Sequence, residues 1–461
     1  MKSHYTTRCA VGLLYASLVL SPANAADVSG VRVEFVDYSG PATLSVQATG
    51  QHKLRINVDP KTEQKLLNLQ VEFPIAGPNA WPFLDVVVFD SKLHAVPVRR
   101  NGIEWHKLSI TVPPERTSFL VHAVKPVSER PGVGPEEERT ATDPGTGLSA
   151  TISKWFDGRR AALSIRFDDS HPTHLSKAIP ILNEYGFRGT FMVNPGGHPP
   201  NSRRRSAFEE HRTEWEAVAK RGVHEFANHT LNHRGAPDDE SMEYEIGEAA
   251  KAIWKLFPNR SRLTALNLGG GTQWVTTKPL RYYLDRYFLF DASANSTGMD
   301  DSYGKRVATF RRLLANHIER GLWYKVHYHY IGDKLSTSEA NFRAALEIAE
   351  EHHDRIWIAG MADIHKYKTE RQGARLEIEN KSSSKAVVKL SCTTDVQLYD
   401  QPLTIDVATP ESWVNNRAVI TNRNAQEVEY RVVSTSDGVV LRFDVEPSED
   451  EFTIENMLEQ N

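Results

Sequence analysis

Residues 161–170 read Ala161-Ala162-Leu163-Ser164-Ile165-Arg166-Phe167-Asp168-Asp169-Ser170. The first seven, apolar except for Ser164 and Arg166, have the pattern of a strand buried on both faces. The two carboxylates stand directly at its C-terminal end. Downstream, strand and helix signals alternate. Leu175, Ile179, Ile181 and Leu182 mark a helix, and Thr190 to Val193 a strand. Trp215–Arg221 is a short helix, His224–Ala227 a strand and 240–256 a helix. Strand Leu263–Leu268, helix Lys278–Arg286 and strands Tyr287–Phe290 and Trp323–Tyr328 follow, before helix Ser338–His352 and strand Ile356–Ala359. Such alternation predicts parallel strands with crossover helices, an α/β open sheet or barrel over 151–368.

The flanks read differently. From 26 to 125 short alternating strands such as Val31–Val36, Lys53–Val58 and Leu108–Val112 are separated by turn residues, the signature of a β-sandwich. Residues 369–461 return to alternating strands, among them Arg375–Glu379 and Ala386–Leu390. Residues 126–150, rich in Pro, Gly and charge, read as a linker. Trp81 in the first β-rich region reads as a buried corner residue rather than an exposed platform. Residues 1–25 read as a signal peptide: Lys2 and Arg8, an apolar run from Ala10 to Leu20, then Ala23-Asn24-Ala25. That predicts a secreted or periplasmic protein with no transmembrane anchor once the leader is cleaved.

Of 461 residues, 55 are basic and 59 acidic, a net charge of −4, so no global basic field points to nucleic acid. Losing Lys2 and Arg8 with the leader makes the mature charge −6. The two cysteines, Cys9 and Cys392, exclude a disulfide scaffold and a cysteine-zinc fold.

Two adjacent carboxylates at a strand end repel unless a cation or a proton separates them, so one can bind a metal while the other moves protons. Alone, Asp168-Asp169-Ser170 reads better as a solvated helix cap. His229-Thr230-Leu231-Asn232-His233 follows another strand of the same series. Histidines at i and i+4 on one helical turn can aim at one cation. With Asp169 they would supply two imidazoles and a carboxylate, leaving a position open for water.

Phe167-Asp168-Asp169 and His229–His233 resemble the first two motifs of the polysaccharide deacetylases, carbohydrate esterase family 4. Ile181–Phe191 and Gly222–Asn228 are similar to the family's intervening text, and the resemblance spans about Ala161 to Tyr367. It implies a distorted (β/α) barrel and a divalent metal, usually zinc. It makes Asp168 the general base and Asp169, His229 and His233 the metal ligands. A late histidine would protonate the leaving group. Here that is His329, followed by Tyr-Ile-Gly, with His327 a structural neighbour or second site residue. The implied reaction is removal of an N- or O-acetyl group from a poly- or oligosaccharide by water activated on the cation. The family's third motif carries an Arg that orients the base; the corresponding stretch, Leu266–Thr272, has none. Arg166 is the candidate to replace it. The fourth, acidic motif with Trp is not recognisable, although Asp291 follows a strand. Trp274 could stack on a sugar face or simply pack. Asp300-Asp301 reads as loop, and His171 and His174 as surface histidines beside a helix start. The missing Arg also motivates an alternative, a non-catalytic carbohydrate-binding protein on a deacetylase scaffold.

Overall fold

In the computed structural model, residues 25–457 are described apart from 63–66, 75–78, 82–85, 92–95, 124–133, 197–206, 333–335, 447–449 and short loop positions (37, 39, 51, 97, 102–103, 259, 411–412, 414–416, 436–437). The expected leader, except for Ala25, and the first part of the expected linker therefore lie outside the described residues. The chain forms two compact units, 1–124 and 125–461.

In the first unit, two antiparallel sheets enclose one core. One sheet orders Ala25–Val28, Val31–Val36, Leu67–Glu72, Glu104–Val112 and Val98–Asn101; the other Thr43–Gly50, Lys53–Asp59, Thr117–Ala123 and Val86–Phe89. Alternation in sequence becomes alternation in burial. Val31, Val33 and Phe35 point inward, as do Leu54, Ile56 and Val58. Trp81 is buried against Phe73, ring centroids 4.4 Å apart.

The second unit holds a curled, all-parallel sheet. Its strands are β1 (Ala161–Phe167), β2 (Gly189–Val193), β3 (Glu225–Asn228), β4 (Thr264–Leu266), β5 (Leu289–Asp291), β6 (Thr297–Gly298), β7 (Trp323–Tyr328) and β8 (Ile356–Ile358). The order is β5-β4-β3-β2-β1-β7-β6, with β8 also paired to β1. The sheet curls so far that Arg166 of β1 donates to the carbonyl of Ala292, just past β5, at 3.0 Å. That curvature makes a distorted (β/α) barrel. Its core unites Leu163, Ile165 and Phe167 with Phe310, Leu314 and Ile318 of helix Arg306–Arg320, and with Phe342, Leu346 and Ala349 of helix Glu339–Glu350. The first of these helices was not foreseen in the sequence.

A second sandwich completes this unit. One of its sheets orders Thr140–Thr142, Ser149–Ile152, Leu403–Ala408, Gly438–Val445 and Arg431–Thr435; the other Ala374–Ser382, Lys385–Cys392, Asp450–Met457 and Arg417–Asn422. The expected linker is corrected here. Ser149–Ile152 pairs antiparallel with Leu403–Ala408, so the barrel is inserted between strands of this sandwich. Leu148, Ala150 and Ile152 are fully buried. The Pro/Gly-rich text between them and Thr142 is a hairpin turn, in which Asp143 accepts from the backbone N–H groups of Gly145 and Thr146. The expected boundary at 368 also moves. Helix Met361–Gly373 runs across it and leads directly into strand Ala374–Ser382.

Candidate active site

The chemistry-bearing residues stand at the C-terminal ends of the barrel strands, where functional residues of α/β barrels collect. After β1 the chain turns sharply. Asp169 (φ 77°) and Ser170 (φ 49°) are both in the left-handed region. The turn is held at its start by the Asp168 amide, which donates to the Tyr328 carbonyl of β7 at 2.9 Å. The carboxylate of Asp169 thereby faces the end of β3.

The segment after β3 corrects one expectation. Residues 229–233 form a loop rather than a helical turn, with Thr230 (φ 64°) and His233 (φ 54°) left-handed. Side chains hold this backbone. Asn228 Oδ1 accepts from the Thr230 amide at 2.8 Å, and Thr230 Oγ1 accepts from the His233 amide at 3.1 Å. Glu245 accepts from the Asn232 amide at 2.8 Å. Residues this far from ordinary backbone persist only where their surroundings over-determine them.

The result is a three-residue cluster. Asp169, His229 and His233 each offer a ligand atom, all within 4.8 Å of one another. Asp169 Oδ1 lies 3.3 Å from His229 Nε2 and 3.9 Å from His233 Nε2. His229 Nδ1 meets the Asn267 carbonyl at 2.7 Å, which sets the tautomer and leaves Nε2 its lone pair for a cation. Gly269 (φ 76°) forms the wall of the cradle: a Cβ there would stand 2.1 Å from His233 Nε2. Two imidazoles, one carboxylate and a supporting carbonyl fit a divalent cation with an open coordination position. Burial would raise the Asp169 carboxyl; with the two imidazoles protonated, the His229 hydrogen bond and the charges of His229 and His233 outweigh it and hold the group below its usual range.

Asp168 is 3% exposed, at the C-terminal end of β1. Its Oδ2 accepts from Arg166 Nη2 at 2.9 Å and from Asn267 Nδ2 at 3.2 Å. Its buried Oδ1 has no protein partner among the described residues. Burial alone would raise this carboxyl; the Arg166 guanidinium, with neighbouring imidazoles, outweighs it and keeps the group below the usual carboxylate range. Arg166 is itself pinned by Ala292, and Asn267 sits at the end of β4, in the stretch that lacks an arginine.

His329 follows β7, the strand paired with β1. Its Nδ1 lies 2.6 Å from Asp300 Oδ2, and its amide donates to Asp300 Oδ1 at 3.2 Å. The hydrogen bond to Asp300 is the main cause of a raised His329 pKa, with burial opposing and the charges of Asp168 and Asp169 adding to the rise. Asp300, expected to be loop, is buried at the site and is a residue that sequence reasoning missed. His327 stands on the same inward row of β7. Its Nδ1 is 2.9 Å from Ser296 Oγ, and burial pushes it down to about 4, so it is neutral. His174 is not a surface histidine: it is fully buried, meets the His329 carbonyl through Nε2 and is pushed down to about 4 by burial. His171 packs against Tyr330, ring centroids 3.9 Å apart and planes tilted by 35°.

Trp274 does not join this group. The loop after β4 curls back so that Ala236 and Trp274 bridge, with the Val275 amide donating to the Ala236 carbonyl at 2.8 Å. The indole packs against a cluster that includes Ala236, Met242 and Tyr283. Asp291 is exposed at the end of β5 and caps Ser293.

Parts of the chain are similar to known proteins. Residues 157–279 match the sequence family described as polysaccharide deacetylase. A gellan lyase from Bacillus sp is 20% identical over 300 residues, 57% of this chain but 12% of that protein, so the chain spans a small part of this relative. Solved structures similar to this chain include a peptidoglycan deacetylase from Bacillus subtilis (13% identity, 45% of this chain and 90% of that one, TM-score 0.31). Another is a family 4 acetyl xylan esterase from Clostridium thermocellum with a cobalt ion (15% identity, 41% and 84%, TM-score 0.28). The matched stretch carries both strand-end motifs, Asp168-Asp169 and His229–His233, and is similar to the polysaccharide deacetylase family.

Proposed function

We propose that the chain is an exported, metal-dependent hydrolase that removes N- or O-acetyl groups from a poly- or oligosaccharide. The observation that carries this reading is the convergence, on neighbouring strand ends, of a three-ligand cluster, a clamped buried carboxylate and a histidine paired with a buried aspartate. Asp169, His229 and His233 would hold the divalent cation, zinc by the resemblance. Such an ion, when bound, acidifies a water and polarises a carbonyl.

The chain's own residues supply the proton traffic. Asp168 Oδ1 takes the proton of the attacking water, while Arg166 and Asn267 occupy Oδ2 and stop the carboxylate from turning. His329, protonated and oriented through Nδ1 by Asp300, gives a proton from Nε2 to the departing amine or alkoxide. Neutral His327 lines the mouth beside it. The raised pKa of His329 and the lowered pKa of Asp168 suit an acid and a base side by side.

The missing third-motif arginine was the motive for a non-catalytic binding protein. Arg166 supplies a guanidinium to the same carboxylate from two residues upstream, which favours catalysis. The leader-like N-terminus supports export, and no helix among the described residues is long and apolar enough to cross a membrane. Screening acetylated xylan, chitin oligomers and peptidoglycan for released acetate, with zinc or cobalt added, tests the reading. Sugar binding without acetate release from any of them supports the non-catalytic alternative instead.

A further inference from the structure

We infer that Tyr303 is a stacking platform for a pyranose ring of the substrate, beside the leaving-group histidine. The inference rests on the deacetylase reading and names a sugar subsite for it. Tyr303 is 55% exposed, one of few large apolar side chains left open to solvent among the described residues. It stands on a short 3-10 turn, Asp301–Tyr303, that begins directly after Asp300, the partner of His329.

The turn is rigid. Asp301 accepts from the Ser338 amide at 2.9 Å and from Asn341 Nδ2 at 2.8 Å, and the Tyr303 amide donates to the Asp300 carbonyl at 3.0 Å. An exposed aromatic on a fixed turn loses little entropy when a ligand covers it. The edge of the ring borders Gly298 of β6. A Cβ at Gly298 would stand 2.7 Å from Tyr303 Cε2 and 3.2 Å from His327 Nε2. Gly298 has no left-handed φ, so its glycine is explained by space rather than by backbone conformation. Tyr303 and His327 thus close on one bare stretch of backbone, and the His327 ring lies 5.7 Å from that of His329. An apolar face beside a neutral nitrogen matches a pyranose, with its C–H face and its rim of hydroxyls.

The test uses Tyr303→Ala and Tyr303→Phe in the full chain. Calorimetric titration with unacetylated xylotetraose and chitotetraose reads the platform without turnover. The wild type and Tyr303→Phe should bind at least one of them, and Tyr303→Ala should bind it on the order of 10-fold more weakly. Acetate release from the corresponding acetylated oligomer should show KM raised by a similar factor with kcat little changed. Hydrolysis of p-nitrophenyl acetate, which has no sugar, should be the same in all three proteins. Equal oligosaccharide binding by wild type and Tyr303→Ala, or no binding by either, overturns the platform. Oligosaccharide binding that depends on Tyr303, with no acetate released from any substrate, sustains the platform and refutes the deacetylase reading instead.

Discussion

Replacing Arg166 by methionine removes the guanidinium that fixes Asp168 while keeping most of the buried volume. Both residues are under 5% exposed, and their ion pair is 2.9 Å long. Removing one partner of a buried pair leaves an uncompensated charge at a cost of about 3–5 kcal/mol. Asn267 keeps its 3.2 Å bond to Oδ2, so the loss should sit toward the lower end. The catalytic effect follows from position. General-base catalysis is worth roughly 10²–10⁴ in rate, and a displacement of about 1 Å costs roughly 100-fold. Acetate release should therefore fall about 100-fold or more in kcat. Metal content should not change, because Asp169, His229 and His233 are supported independently of Arg166, His229 through Asn267 and the loop through Glu245. Arg166→Lys keeps the charge without the fork and should lose less. If the methionine variant is too unstable, Asn267→Leu removes the second donor, together with the acceptor of the Gly269 amide, and should give a smaller loss of the same sign. Acetate release together with metal analysis is the assay. A folded, metal-loaded Arg166→Met protein with kcat within about threefold of wild type would refute the clamp.

Three further outcomes follow from the same geometry. Asp300→Asn removes the main cause of the raised His329 pKa, so the protonated acid is lost sooner as pH rises. The alkaline limb of the rate profile should move to lower pH, and an unmoved limb contradicts the pairing. Gly269→Ala puts a Cβ 2.1 Å from His233 Nε2 at φ 76°, and metal affinity measured by competition with a chelator should drop at least 10-fold, with secondary structure retained. At the opposite end of β3, burial with the nearby Asp363 charge pushes Glu225 up to about 7, against Arg188, Lys366 and the Ala362 amide. The folded chain then holds a proton that the unfolded chain releases between its ordinary pKa, about 4.5, and about 7, so stability falls as pH rises through that window. Glu225→Gln should flatten the dependence of Tm on pH from 5 to 8; an unchanged slope refutes the assignment.

Much of the site was legible because its parts are local. Asp168-Asp169 and His229–His233 are contiguous, and each follows an apolar strand whose end places it. The conformation that joins them was not legible. Spacing suggested a helical turn, whereas left-handed Thr230 and His233, held by Asn228 and Glu245, bring the imidazoles together. Asp300 was hidden for a related reason. Its partner His329 is 29 residues away, and an acidic pair among glycines reads as loop until the fold buries it. Trp274 shows the converse, an aromatic near the site in sequence that the curl of its loop turns onto packing. The expected linker failed on range. The strand Ser149–Ile152 finds its partner only at Leu403–Ala408, across the whole barrel, and no local pattern announces such a pairing.

The central claim is hydrolysis at the Asp169–His229–His233 cluster. Acetate released from an acetylated oligosaccharide should be abolished by chelation and restored by zinc or cobalt. It should be absent in Asp169→Ala and His233→Ala proteins that keep their fold and bind no metal. Acetate release from either variant at the wild-type rate would contradict the account.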